Sequence, residues 1–384
     1  MTRALASLVA MDFLLGLALT WDRYPLPGVN QPTGILVMAL VIALGVTRRP
    51  TRRVAGLGSI ALVYSFMVAW AIAVSALNGF PWQIRATKMM ILLAFGATIA
   101  VGRIHAQSLI TGYLVGALLN AGMFYVGLAP NSYPPYLTGF MTDKNVAGLV
   151  YAVLLILGLV LFPRRRWQLV HVAVFGVLLF LTGSRTSMAA AAVALLWVAV
   201  RNKLSVVPRL VLAGGIIWFL QFVEARFARI GVFANREGTD WFREQVDLAT
   251  EAKLARSPWW GDGLGTAWVD VGTADFMFFH NSYSALRIEG GWVMVAIMLY
   301  LVAYKGMGVL STAQVPRNLA IVEGGLLVLL VTASRLGEVF FTTPAFLLLG
   351  LAWGWRFGVE EASDTKPSLS EQRVDFPSQG FSKA

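Results

Sequence analysis

Three groups of residues have types and spacings that could do chemistry. The first is Thr182-Gly183-Ser184-Arg185-Thr186, between two apolar runs. An arginine at a helix boundary is disfavoured in hydrocarbon, so it either snorkels from a tight helical hairpin or faces a cavity or a partner. In the second case Arg185, with Ser184 beside it and the free N–H groups of the next helix start, would favour an anion. The second group is the arginine set Arg226, Arg229, Arg236, Arg243 and Arg256 in one long polar segment. Glu224, Glu237, Asp240, Glu244, Asp247 and Glu251 interleave with it, and Arg243 and Asp247 have the spacing of a helical ion pair. Internal pairing accounts for any one of these arginines, while the set as a whole leaves cations for an anionic ligand. The third group is Phe278-Phe279-His280-Asn281-Ser282-Tyr283, followed by Arg287, Glu289, Gly290 and Gly291. Imidazole works as base or donor near neutral pH, so His280, beside Asn281 at a loop-to-helix junction, is the candidate catalytic group. Before it lies Trp259-Trp260-Gly261-Asp262-Gly263-Leu264-Gly265, a turn whose glycines permit tight backbone geometry near a ligand.

These residues must be positioned by membrane helices. The chain has 384 residues, 57% hydrophobic and only 13% charged, with a mean hydropathy of +0.68. A soluble domain carries about 25% charged residues. Apolar runs of roughly twenty residues recur, long enough to cross the hydrocarbon, and without the alternation of barrel strands. The expected fold is all-α: a polytopic membrane protein with about twelve helices. Their expected spans are roughly 4–20, 32–47, 54–77, 87–103, 107–129, 146–163, 168–182, 186–200, 205–223, 281–303, 318–334 and 338–356. The first is read as a membrane helix rather than a removable signal peptide.

Arg48, Arg49, Arg52 and Arg53 crowd one link, Arg164, Arg165 and Arg166 another, and Arg201 with Lys203 a third. That pattern marks the cytoplasmic side, places both termini there, and explains the net charge of +11 without nucleic acid. The opposite, periplasmic side then receives 224–280. This gives four parts: helices within 1–223, a loop domain at 224–280, helices within 281–357 and a disordered tail over 358–384. Within the loop, a short interfacial helix is expected near Phe222–Ile230, and a second from Thr239 or Asp240 to Ala255, ended by Pro258. Cysteine is absent, and His105, His171 and His280 are far apart, so neither a thiol site nor a histidine metal site is expected, and no cofactor is called for. Together these features suit a substrate that is lipid at one end, anionic at the membrane surface and water-soluble at the other, such as a polyprenyl diphosphate carrying a glycan.

Three segments resemble the O-antigen ligase and polymerase superfamily of bacterial cell-surface polysaccharide assembly. They are Leu181-Thr-Gly-Ser-Arg-Thr-Ser187, then Arg236 through Trp241 to Pro258-Trp-Trp-Gly-Asp-Gly-Leu-Gly265, and His280-Asn-Ser-Tyr283 continuing to Glu289-Gly-Gly291. Thr142-Asp-Lys-Asn145 is similar to a further family element, and the likeness spans roughly 140–305. It departs at Asp262, where an apolar residue is more usual. The resemblance implies an inner-membrane enzyme, apparently metal-independent, that transfers glycan from undecaprenyl diphosphate at the periplasmic face. Arg185 and Arg236, with Arg243, would hold the diphosphate; His280 would assist the acceptor hydroxyl or the leaving group; Asn281, Tyr283, Arg287, Glu289, Ser184 and Asn145 would support the substrate. A polymerase-like acceptor, another lipid-linked glycan, is preferred because nothing marks a lipid A core site. A ligase that delivers to lipid A core is the alternative, and a lipid-linked oligosaccharide transporter is the reading from another class.

Overall fold

The computed structural model describes residues 9–25, 32–209, 211, 215, 237–272 and 276–360. Arg226, Arg229, Arg236, the expected interfacial helix, most of the 205–223 span and the tail beyond 360 lie outside them. Twelve helices of nine residues or more are described: α1 (Ala10–Ala18), α2 (Thr33–Thr47), α3 (Leu57–Leu77), α4 (Gln83–Ala100), α5 (Ala106–Tyr125), α6 (Lys144–Leu157), α7 (Arg165–Leu181), α8 (Arg185–Val200), α9 (Glu237–Arg256), α10 (Ser282–Leu299), α11 (Arg317–Thr332) and α12 (Thr343–Phe357). A 3-10 turn extends α1 to Trp21 and another extends α6 to Leu161; a π-helical turn carries α10 on to Gly306. Two short ribbons complete the fold: β1 (Arg52–Val54) pairs with β4 (Gly358–Glu360), and β2 (Trp268–Val269) with β3 (Met277–Phe278), both antiparallel. The expected tail therefore begins as a paired strand.

Among the described residues, four helices are long and apolar enough to cross a membrane: Leu57–Leu77, Ala106–Tyr125, Lys144–Leu161 and Ser282–Gly306. Ala10–Trp21, Thr33–Thr47 and Arg185–Val200 are apolar but shorter. α6, α11 and α12 form the centre, buried over nearly every residue, as befits helices that are apolar all round. Close approach between helices comes from small residues. Gly350 and Gly354 of α12 lie on α4, where an added Cβ would sit 2.5 Å from the carbonyl oxygens of Gly96 and Ala100 respectively. Gly112 and Gly116 do the same for α5 against α1. Lipid offers tails as apolar as the helices themselves, so such backbone-to-backbone packing is what holds them together.

α10 is two half-helices. Gly290 (φ −144°) and Gly291 (φ 68°, ψ −165°) break it directly after Glu289. The Trp259–Gly265 turn docks in that break. Asp262 N donates to Ile288 O at 2.6 Å, Trp292 N to Trp259 O at 3.0 Å, and Leu264 N to Ser75 Oγ of α3 at 2.7 Å. A Cβ at Gly261 would lie 2.6 Å from Gly291 N. Gly261 and Gly263 of this turn thus allow close contact between protein backbones, whereas a Cβ at Gly265 would meet open space. Asp262 has a place as well: Ser257 Oγ donates to its carboxylate at 2.7 Å and Asn78 Nδ2 to its carbonyl at 3.0 Å.

Candidate functional site

The end of the bundle at which α8 and α10 begin carries the candidate residues; it is termed the upper end. α9 packs over it on an apolar patch of Val246, Leu254, Val269, Phe279, Ala285 and Ile288. Lys253 of α9 donates to Thr266 O (2.7 Å) and Trp268 O (2.8 Å), tying the helix to the ribbon. Burial lowers its ammonium below the ordinary lysine value, against the pull of Asp262. Lys253, Arg256, Asp262, Trp268 and Asp270 line a cleft of ≈420 Å³ beside it.

His280 is fixed from both sides. Phe279 N donates to Ala267 O at 3.1 Å, and Asn281 caps α10, its side chain accepting from Tyr283 N (2.9 Å) and Ser284 N (3.3 Å). The ring is 31% exposed, yet Nδ1 is buried and makes no hydrogen bond. Asp247 of α9 stands opposite, Oδ1 at 3.8 Å from Nδ1, and its Oδ2 lies 3.6 Å from Arg335 Nη1. Asp247 therefore faces His280 and Arg335; among the described residues it forms no ion pair with Arg243, against the spacing-based expectation. The segment after α11 closes this corner. Ser282 N donates to Ala333 O (2.7 Å), the Ser282 hydroxyl donates to Leu336 O, and Gly337 packs on the Phe279 carbonyl.

The supporting residues divide by environment. Glu289 is buried, 2.9 Å from Arg85 Nε, and accepts from Gly265 N at 3.0 Å, so it holds the glycine turn to α4 and α10. Arg85 also reaches Glu338 (3.3 Å), which Lys88 meets at 3.1 Å. Burial pushes the Glu338 carboxyl up, but Lys88 and Arg85 outweigh it and hold the group below the usual value. The Tyr283 hydroxyl donates to Leu330 O at 2.7 Å and its ring meets Phe340, which locks α10 to α11. Arg287 lies over the Trp292 ring at 5.0 Å.

Arg185 is half-buried at the start of α8, whose N-cap Ser184 makes no capping bond and instead meets Ser187 Oγ at 2.9 Å. First-turn N–H groups without a side-chain cap favour anions. Beside it, Asp143 caps α6 through the N–H groups of Asn145 (2.8 Å) and Val146 (3.0 Å). The buried Lys144 lies over the rings of Tyr133 (4.7 Å) and Tyr136 (4.8 Å), and Tyr136 covers Gly183. Contacts at the other end set the register of α11 against α8, since Glu323 meets Trp197 and Arg201. Running back about 14 Å along each helix puts Thr332 level with Met188. Arg185 and His280 thus both lie at the upper end, near the α11 terminus. Arg236 lies outside the described residues. Arg243 is half-buried on α9.

Sequence reasoning overlooked Arg335, Arg85 and Glu338, and for Asp247 offered only a possible pair with Arg243. Its signal was its position on α9, one turn beyond Arg243, which made the local pair look sufficient. The other two histidines are structural: His105 Nδ1 meets Ser108 Oγ at 2.6 Å, and His171 Nε2 meets Leu154 O and Leu155 O. Among the described residues no cluster of metal-ligating side chains occurs. No protein-family model matches this chain, and no curated protein matches it.

Proposed function

We propose that this chain is a multi-pass membrane glycosyltransferase that draws on a polyprenyl-diphosphate-linked oligosaccharide, with its upper end and loop domain on the periplasmic face. The observation that supports this most is His280, its buried Nδ1 turned to the Asp247 carboxylate at 3.8 Å, at the foot of a domain that overhangs the helix ends. Hydrogen bonds of this kind are long in empty sites and tighten around substrate. With Nδ1 facing Asp247, Nε2 is the atom that takes the proton of the acceptor hydroxyl. The acceptor oxygen bonds to the anomeric carbon as the carbon–oxygen bond to the diphosphate breaks, and the diphosphate leaves with the bonding pair. Arg185 and the uncapped start of α8 supply positive charge for it. The acceptor is another lipid-linked glycan, which makes the activity polymerase-like.

The test is to supply the purified protein with a defined lipid-linked repeat, with and without lipid A core. Chain growth without core is expected. Transfer only to core makes the protein a ligase, and movement of donor across vesicles without consumption makes it a transporter. Donor consumption that survives both His280→Ala and Arg185→Ala in properly inserted protein overturns the assignment of these residues.

A further inference from the structure

At the opposite, lower end of the bundle a buried guanidinium lacks the partners its chemistry requires. Arg201, the residue after α8, is 0% exposed. Its Nε lies 2.5 Å from Glu323 Oε2, but Nη1 and Nη2 are buried without a hydrogen-bond partner. Glu323 is itself fully buried and has both oxygens engaged, accepting also from Arg356 Nη2 at 2.5 Å and Trp197 Nε1 at 3.2 Å. Arg209, 2% exposed, is near enough to Arg201 for the two cations to repel. It donates to Leu204 O and Ser311 O, each at 2.8 Å. Among the described residues, two guanidiniums therefore meet the Glu323 carboxylate, and a third, that of Arg209, lies nearby on backbone carbonyls.

A buried cation with unsatisfied donors is strongly disfavoured. The Nη edge of arginine presents parallel N–H groups in the fork that a phosphate matches. Carbonyls at the helix ends take Arg209 and Arg356, which leaves the Arg201 Nη edge over. The group also sits at helix ends, which in a membrane-spanning bundle would fall near the lipid headgroups. We propose that the Arg201 Nη edge holds a phosphate group there, with the charge of Arg209 adding to its pull, from an anionic phospholipid headgroup or from dissolved inorganic phosphate. The proposal uses none of the upper-end residues and stands apart from the transferase reading.

The test reads thermal unfolding of the full chain in lipid-depleted micelles at constant ionic strength. One arm titrates inorganic phosphate against chloride. The other dopes the micelles with phosphatidylglycerol against phosphatidylcholine. The unfolding temperature of the wild type is expected to rise in at least one arm, and which arm responds identifies the source. Arg201→Gln should need at least ten times more phosphate or lipid for half the effect. Arg209→Gln keeps the Arg201–Glu323 pair but removes the second charge, and should also weaken the response, so the test holds even if Arg201→Gln does not fold. The exposed Arg49→Gln, which changes charge equally at the surface, should respond like the wild type. Three results would overturn the proposal: no response of the wild type in either arm, an unchanged response of Arg209→Gln, or an equal loss in Arg49→Gln.

Discussion

His280, Asp247 and Arg335 come from three separate elements, and their contacts make them a unit only if α9 and the segment after α11 hold their places. If the imidazole moves a proton, His280→Ala should lower turnover by roughly 10²–10⁴-fold. Asp247→Asn keeps the shape and an acceptor oxygen but removes the negative charge facing Nδ1, so it should lower kcat with little change in KM. Its defining signature is non-additivity. The double variant should be no slower than His280→Ala alone, because a carboxylate that works through the imidazole has nothing to orient once the ring is gone. Steady-state donor consumption in the four proteins checks this, and multiplied losses would show that Asp247 acts elsewhere. Little of this unit was legible in the sequence. His280 stood out by its place at a loop-to-helix junction, but Asp247 and Arg335 are brought to it by tertiary packing across some ninety residues, and a local partner four positions away hid the first of them.

At the scale of elements, the break in α10 positions the loop domain. Gly291 has a backbone conformation that only glycine adopts readily, and any Cβ there would overlap the Trp259 carbonyl. Gly291→Ala should lower stability by on the order of 1–3 kcal/mol from backbone strain alone and release the Trp259–Gly265 turn. Faster proteolysis within 257–272 of the folded protein, relative to the helices, would report that release. The neighbouring clamp of Arg85, Lys88 and Glu338 has a pH signature. The folded Glu338 carboxyl lies below its ordinary value, so the ionised form favours the folded state. That contribution is complete above the unfolded carboxyl range, about pH 4.3, and is lost as pH falls through the lower folded value. Glu338→Gln should therefore unfold at a lower temperature than the wild type at neutral pH, with the gap closing in acid. Most of the helices among the described residues were readable from their apolar length, while most of the expected 205–223 span lies outside those residues. The kink was not, since two adjacent glycines suggest freedom without saying what fills the gap.

The whole molecule has two ends of different character, and the links between helices set them apart. Arg48, Arg164–Arg166, Arg201 and Arg356 lie at the lower end, whereas the upper end mixes Asp247, Glu338 and Lys144 with the candidate catalytic residue. The usual bias of arginine toward the cytoplasm predicts that the lower end faces it, and the structure explains why motifs far apart in the chain gather: α8 and α10 both start where α11 ends. Orientation decides whether His280 can meet a substrate outside the cytoplasm, and it can be tested cleanly because the chain contains no cysteine. Ser132, in the exposed link between α5 and α6, and Lys203, exposed beyond α8, mark the two ends. With a membrane-impermeant maleimide, Ser132→Cys should react in cells whose inner membrane is intact but whose outer barrier is open. Lys203→Cys should react only after the inner membrane is also breached. Labelling of Lys203→Cys in intact membranes, with Ser132→Cys protected, would invert the molecule and put the His280 site in the cytoplasm. A diphosphate-linked glycan could then be used only before it crossed the membrane, and the transferase would belong to assembly of the repeat rather than to its polymerisation.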